Sequence, residues 1–509
     1  MKRNSCLFSK KHRAANKGQV FYLLSFFFVA LPLFQSSAQT IPEFETSSEI
    51  GGFVSSSDRV PFWLRANQGG RVPLAASAGT IRLGFHYQSP RTFADTSHKK
   101  ARLNWEFGAE GVANVGTKSK LLLPEFYAKL RWKRWELMAG REQQILGIVD
   151  TTLSSGSYSW SGNALPIPMV KLSLAEYVPL GFLGNFVSIK GSYVHGWFNE
   201  PYIKHAYIHQ KTLYGRFGKP EGKVHVQLGM VHHVQWGGEA EYLKDGQLSV
   251  DGKLTTNLKD YILGVVLAQI PSDKTNDRFT NFDGVNRIGN HVGHYDFAVD
   301  WNIKNLNFLA YRQHPFEDAS GLQFQNLPDG LYGLSLRRNV ASTSFFIWKG
   351  IALEYLYTRN QTIVKPGSRF QGGDDYFNHA QYIEGWSYQE KSLGTPFFPT
   401  RLEVKESFPT NKYFFPSNKI VLYHVGIEGL LAQTIRVQAK FSQSYHYGSV
   451  SLSLPLPHVA QFSSLLAFDA PLLLWGNTRL KVQLAYDTGG VLAESLGGYV
   501  GIKSNLQKK

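Results

Sequence analysis

The chain has 509 residues with 54 Lys+Arg against 38 Asp+Glu, a formal charge of +16, 14% aromatic residues, 48 Gly and one Cys. That aromatic and apolar content excludes intrinsic disorder, and a lone Cys excludes a disulfide framework or a Cys-ligated metal centre. Beyond the first forty residues no run approaches the ~18 apolar residues of a membrane-spanning helix.

The chain opens on a cationic lead, Lys2, Arg3, Lys10, Lys11, Arg13 and Lys17, followed by the apolar run VFYLLSFFFVALPLF (20–34) and small residues at Ser36 and Ala38. This is the layout of a cleaved secretory signal peptide over 1–38. Its removal takes six cations, no acid and the only cysteine, Cys6, leaving 48 Lys+Arg against 38 Asp+Glu and a charge of +10. Residues 39–78 are expected to form a short early strand (EIGGFVSS) and a plug-like segment, VPFWLRANQGGRVP (60–73). In that segment Trp63 would pack, Gly69-Gly70 would turn the chain, and Arg65, Asn67 and Arg71 would bond to luminal or periplasmic groups.

From residue 79 onward the dominant period is two. FYAKLRW (126–132), VHVQLGM (224–230), RVQAKF (436–441) and RLKVQLAYD (479–487) each put apolar residues on one face and polar or charged ones on the other. Further strand-like runs include TIRLGFHYQ (80–88), NFVSIKGSYVHGWF (185–198), DYILGVVLAQI (260–270), HYDFAVDWNI (294–303), STSFFIWKGI (342–351), IALEYLYTRN (351–360) and LGGYVGIK (496–503). The run predicts an all-β fold with about 18 strands, in a range of roughly 16 to 20. Long irregular stretches interrupt it at 142–166, 271–290 and 361–418, where function is expected.

Period two fits a soluble sandwich, whose apolar faces point inward, as well as a membrane barrel, whose apolar face points to lipid. Polar faces heavy in Arg, Lys, Gln and His suit a wet lumen. No linker or repeat divides the chain, and several strands reach the ~10 residues of a tilted bilayer crossing. The expected architecture is therefore a single transmembrane antiparallel β-barrel over 79–509 in the outer membrane, with long extracellular loops.

Enzyme signatures are scarce: H-E-x-x-H, the Walker loop, G-x-S-x-G and the EF-hand pattern are all missing. SSGSYSWSGN (154–163) is rich in hydroxyls without a nearby base. His291 and His294, like His232 and His233, would point to opposite faces of a strand, which disfavours a metal site. Asp374-Asp375 reads as a solvated turn. No metal, cofactor or nucleic acid is expected, since the cations are spread along strand faces. Aromatic faces beside amides and carboxylates suit sugars; Trp160 and Asn163 on one loop, and Asp374, Asp375, Tyr376, Trp386 and Tyr388 on the longest, carry that pattern.

VPFWLRANQGGRVP (60–73), MAGREQQILGI (138–148), SSGSYSWSGNALPIP (154–168), YVHGWFNE (193–200), AYIHQKTLYGRFGKP (206–220), PFEDASGLQFQNLPDGLYGLSLR (315–337), DDYFNHAQYIEGWSYQEKSLGTPF (374–397) and LAYDTGG (484–490) together resemble the capsule-assembly Wzi-type outer-membrane proteins, in a divergent branch. The resemblance implies an 18-stranded barrel with a plugged lumen, acting without catalysis as a lectin; a monomer is expected. Its partners would be capsular or other surface polysaccharide and outer-membrane lipid. A second reading of the same residues is a porin-like channel for anionic solutes or oligosaccharides through a cationic lumen.

Overall fold

The computed structural model describes residues 43–89, 103–244, 246–317, 319–339, 342–361, 373–472 and 476–508; the expected signal peptide lies outside them. Eighteen long strands form the wall. They are β1 (Glu43–Ser55), β2 (Ala78–Gln88), β3 (Asn104–Gly116), β4 (Lys120–Trp132), β5 (Trp135–Arg141) and β6 (Met169–Pro179). Next come β7 (Val187–Glu200), β8 (Ile203–Phe217), β9 (Val224–Glu239), β10 (Asn290–Ile303), β11 (Leu306–Phe316) and β12 (Gly330–Arg338). The wall is completed by β13 (Phe346–Tyr357), β14 (Ile420–Leu431), β15 (Ile435–His446), β16 (Val459–Pro471), β17 (Thr478–Gly489) and β18 (Ser495–Lys508).

Each strand pairs antiparallel with the next, and β18 pairs with β1 (Phe44 opposite Lys508, Ser55 opposite Gly497), so the sheet closes and leaves no edge. The barrel thus begins at Glu43, not at residue 79 as expected, because β1 is the strand that closes it. The runs 342–351 and 351–360 are one strand, β13.

Burial settles which face meets lipid. On the alternating strands the apolar side chains are the exposed ones: Phe126 is 61% exposed and Leu484 52%, whereas Lys440 and Asp487, on the opposite parity, are 7% and 2%. A soluble sandwich would show the reverse; an apolar outer wall around a polar interior is a membrane barrel. Trp132, Trp135, Trp301 and Phe346 ring the wall near one end, where the turns are short. Tyr332, Tyr355 and Tyr423 form a row nearer the other end. These are the interfacial girdles of such barrels.

Strand direction sorts the connections. Turns such as 133–134, 304–305 and 432–434 lie at the end that also holds the start of β1 and the end of β18; 56–77, 142–168, 240–289, 317–329 and 358–419 lie at the other. This places VPFWLRANQGGRVP at the long-connection end, not the periplasmic end that was the alternative. DYILGVVLAQI, expected as a strand, is instead helical: Leu258–Asp260 runs into a π-turn over Tyr261–Val266, started by the Asn257 side chain accepting from the Lys259 N–H. Its apolar run is nearly continuous and favours neither period, and Val265, with Phe279 and Ile288, covers Val234 and Trp236 on the outer wall. The stretch 271–290 is therefore partly a cover for β9 rather than a free loop. Among the described residues no helix is long and apolar enough to cross a membrane.

Candidate functional site

Three of the long connections turn inward and meet. In the first, a bridge between Arg59 and Ala75 folds 56–77 back on itself, and Phe62–Arg65 forms one helical turn. The Phe62 N–H donates to Asp487 of β17 (2.7 Å), and Trp63 donates through Nε1 to Ser442 of β15 (3.2 Å) with the Lys440 ammonium 4.6 Å over its ring. Arg65 pairs with Glu403, and Arg71 Nε donates to Glu110 of β3 (2.9 Å). Asn67 sits at φ +57°, its N–H donating to Asn163 Oδ1 (3.0 Å) and its amide to Ser155 O (3.0 Å). Gly70 is required where it stands: φ is +68°, and a Cβ there would lie 2.7 Å from Leu165. The segment thus runs across the interior from β15 and β17 to β3.

The second connection, 142–168, lies against it. Ser154 donates to Glu354 of β13 (2.7 Å), the Tyr158 N–H donates to Gln313 of β11 (2.7 Å), and Trp160 stacks on His233 of β9 at 5.1 Å. Asp150 takes Arg337 Nε (2.9 Å), Ser335 Oγ (2.6 Å) and the Leu153 N–H (3.0 Å). Burial pushes its carboxyl up, but these hydrogen bonds and the Arg337 charge win and hold it down at about 2. A depressed carboxyl contributes stability above its unfolded value and loses it as pH falls through the folded one. The stability advantage of the wild type over Asp150→Asn should therefore be full at pH 5 and shrink as pH falls from about 4 towards 2, read from urea unfolding midpoints; a constant gap contradicts the ion pair.

The third, 373–419, lies over both. Trp386 Nε1 donates to Ser159 O (2.8 Å), Tyr376 donates to Asp329 (2.8 Å), Tyr382 to Gly237 O (3.0 Å), and Asn163 to Ser392 O (3.1 Å). Tyr388 lies 5.6 Å from Phe198. Of the residues with the sugar-contact pattern, Trp160, Asn163, Asp374, Tyr376, Trp386 and Tyr388 are all less than 9% exposed; Asp375 alone is half-buried. Stacking on a pyranose needs an open ring face, and these rings are covered by His233, Tyr158, Phe198 and one another. Less buried are Asp375 and Asn411, which meet at Ser451: its hydroxyl donates to Asp375 (3.1 Å) and its carbonyl accepts from Asn411 (3.0 Å), and next to Asn411 the exposed Lys412 ammonium lies 5.2 Å from the Tyr413 ring.

The same packing assembles a constellation with no local signature. Ser159 Oγ lies 2.8 Å from His294 Nδ1 and 3.1 Å from His233 Nε2, and His294 Nε2 lies 3.3 Å from Asp296. Its composition is that of an acyl-transfer triad, yet Ser159, His233 and His294 are fully buried under Trp160 and Trp386, and Asp296 is occupied by the Ile148 N–H and Gln313. The group is a closed hydrogen-bond network that holds 142–168 to β9, β10 and β11. His232 and His291 point outward and face each other (2.9 Å), as strand geometry requires. Among the described residues no cluster of His, Cys, Asp and Glu could hold a metal ion.

Cavities lie beneath this layer, towards the short-turn end. One, of ≈ 170 Å³, is lined by Trp63, Asn67, Gln68, Lys440 and Gln483; another, of ≈ 410 Å³, by Glu49, Arg71, Arg82, Glu110 and Lys481. Asn67 and Gln68 border both.

A closed 18-stranded antiparallel outer-membrane barrel is the class that these features define. The chain belongs to the capsule assembly protein Wzi family, whose model matches residues 70–422. It is similar in fold to a solved Escherichia coli outer-membrane protein, Wzi, described as a carbohydrate-binding β-barrel involved in group 1 capsule assembly; identity is 15%, the match covers 90% of this chain and 83% of that one, and the TM-score is 0.56. Acinetobacter baumannii OccAB2 matches at 9% identity over 92% of this chain and 98% of that one, with a TM-score of 0.47. Pseudomonas aeruginosa OccK5 matches at 9% over 92% and 98%, with a TM-score of 0.45. No curated protein sequence matches the chain.

Proposed function

We propose that this barrel is a non-catalytic surface lectin that attaches or organises capsular or other surface polysaccharide, with its lumen plugged by its own connections. Family membership and the carbohydrate-binding E. coli relative support the class of ligand. The observation that supports the reading is that 56–77, 142–168 and 373–419 pack on one another and on inward-facing strand residues through buried side chains such as Trp63, Tyr158, Tyr376 and Trp386. Such packing favours a binder over the porin-like alternative, and the burial of Ser159 and His294 disfavours a hydrolase.

In this reading the aromatics of 373–399 are the framework of the glycan surface, not the surface itself. The sugar meets the less buried part of the segment, where Asp375, Asn411, Lys412 and Tyr413 supply a carboxylate, an amide, an ammonium and a ring. In cells, Lys412→Ala combined with Tyr413→Ala should lower cell-attached polysaccharide and raise the shed fraction while the barrel remains at its normal level. Normal retention in that variant would exclude this patch, and normal retention in cells lacking the whole protein would sink the function.

A further inference from the structure

Arg312 stands on the outward, lipid-facing side of β11: its neighbours Tyr311 and Gln313 face in and are 4% and 0% exposed, while Ala310, on its own side, is exposed. A guanidinium on the lipid face of a barrel is destabilising unless it reaches the interface or meets an anion. Its partners among the described residues are all uncharged or backbone groups: the Tyr332 ring 4.8 Å away, the Asp329 carbonyl at 3.5 Å and His314 Nδ1 at 3.4 Å; its Nε has no hydrogen-bond partner. Asp329 belongs to the connection 317–329, so the side chain reaches up towards the outer leaflet.

Pairing register shows what lies around it. Arg312 falls in an outward row with Phe297, Tyr332, Tyr355 and Tyr423. The row beneath, towards the membrane centre, is Val299, Ala310, Leu334, Leu353 and Val425. Ala310 offers a single methyl between Val299 and Leu334, and the wall is hollowed there into an apolar trough of ≈ 810 Å³ that ends at Arg312. An apolar trough capped by a guanidinium with no carboxylate partner among the described residues is complementary to an acyl chain with an anionic head, and the planar fork of Arg matches phosphate oxygens in pairs.

We propose that Arg312 and this trough form a docking site for a phosphate-bearing lipid of the outer leaflet, with the head on Arg312 and an acyl chain along Ala310. The trough is continuous with the barrel's lipid-facing wall, which supplies that occupant directly. The proposal is independent of glycan binding.

The test uses the full mature barrel in dodecyl maltoside, titrated with dimyristoyl-phosphatidylglycerol or dimyristoyl-phosphatidylcholine and read by native mass spectrometry. The wild type should take one phosphatidylglycerol about tenfold more tightly than phosphatidylcholine, the size of one charge-assisted contact. Arg312→Gln should abolish that preference, Arg312→Lys should keep part of it, and Ala310→Phe, which fills the trough, should weaken both lipids alike. Heat-modifiable gel migration confirms that each variant is folded. Equal binding of the two lipids by the wild type, or an undiminished preference in Arg312→Gln, overturns the site.

Discussion

Deleting residues 373–399, with a short Gly-Ser bridge across the gap, should turn a silent barrel into a conducting one. The segment supplies Tyr376, Phe377, Tyr382, Trp386 and Phe398, each fully buried, and it caps 142–168 through the Trp386 and Thr395 hydrogen bonds. The wall does not depend on it, because β13 and β14 pair with each other directly from Tyr357 to Phe346. Without the cap, the rings of Tyr158 and Trp160 lose their cover and the interior floods. In planar bilayers the wild type is expected to show no steady openings and the deletion large, long-lived ones. Steady openings in the wild type would instead favour the porin-like reading.

The second large effect is on stability. Arg65 and Glu403 form an ion pair whose side chains are 5% and 8% exposed, joining the segment that crosses the lumen to the one above it. Burial would raise the Glu403 carboxyl, but the charges of Arg65 and Lys391 outweigh it and hold it below the ordinary range. Lys391 is itself pushed down to about 8 by burial and by the Arg65 charge. Arg65→Met strands a buried carboxylate, and removing one partner of such a pair costs about 3–5 kcal/mol. Arg65→Met with Glu403→Leu should recover most of that loss, since an apolar pair of similar volume leaves no buried charge. Urea unfolding of the barrel measures both. A loss below ~1 kcal/mol in the single variant would mean that the pair is as solvated as a surface one.

The wall was legible in the sequence wherever alternation is strong. Val437, Ala439 and Phe441 face lipid and Gln438 and Lys440 face the lumen, as period two requires. β1 was harder to read: its outward row is Phe44, Thr46, Ser48, Ile50, Gly52 and Val54, too polar for a clear apolar face, and its pairing with both β2 and β18 identifies it as wall. Tyr261–Val266 has strand-like composition, and what decides its helical form is the apolar surface of Val234 and Trp236 that it covers.

The interior was legible only in part. Trp63, Asn67 and Arg71 were visible as a compact polar and aromatic cluster, and the structure shows which groups they meet. The composition of 372–399 is the same whether Trp386 stacks on a sugar or donates to the Ser159 carbonyl, so composition alone could not show that its rings are buried. Ser159, His294 and Asp296 are brought together across more than 130 residues by strand register, and no local spacing could have shown them.

The central claim is that the folded barrel binds polysaccharide. Immobilising the purified mature protein and passing over it the surface polysaccharide of its own cells, with unrelated neutral and acidic polysaccharides as controls, tests this most directly. Saturable binding of the native polysaccharide, lost on heat-unfolding and weakened by Tyr413→Ala, is the predicted result; no binding above the controls by protein that still migrates as a folded barrel would contradict the account.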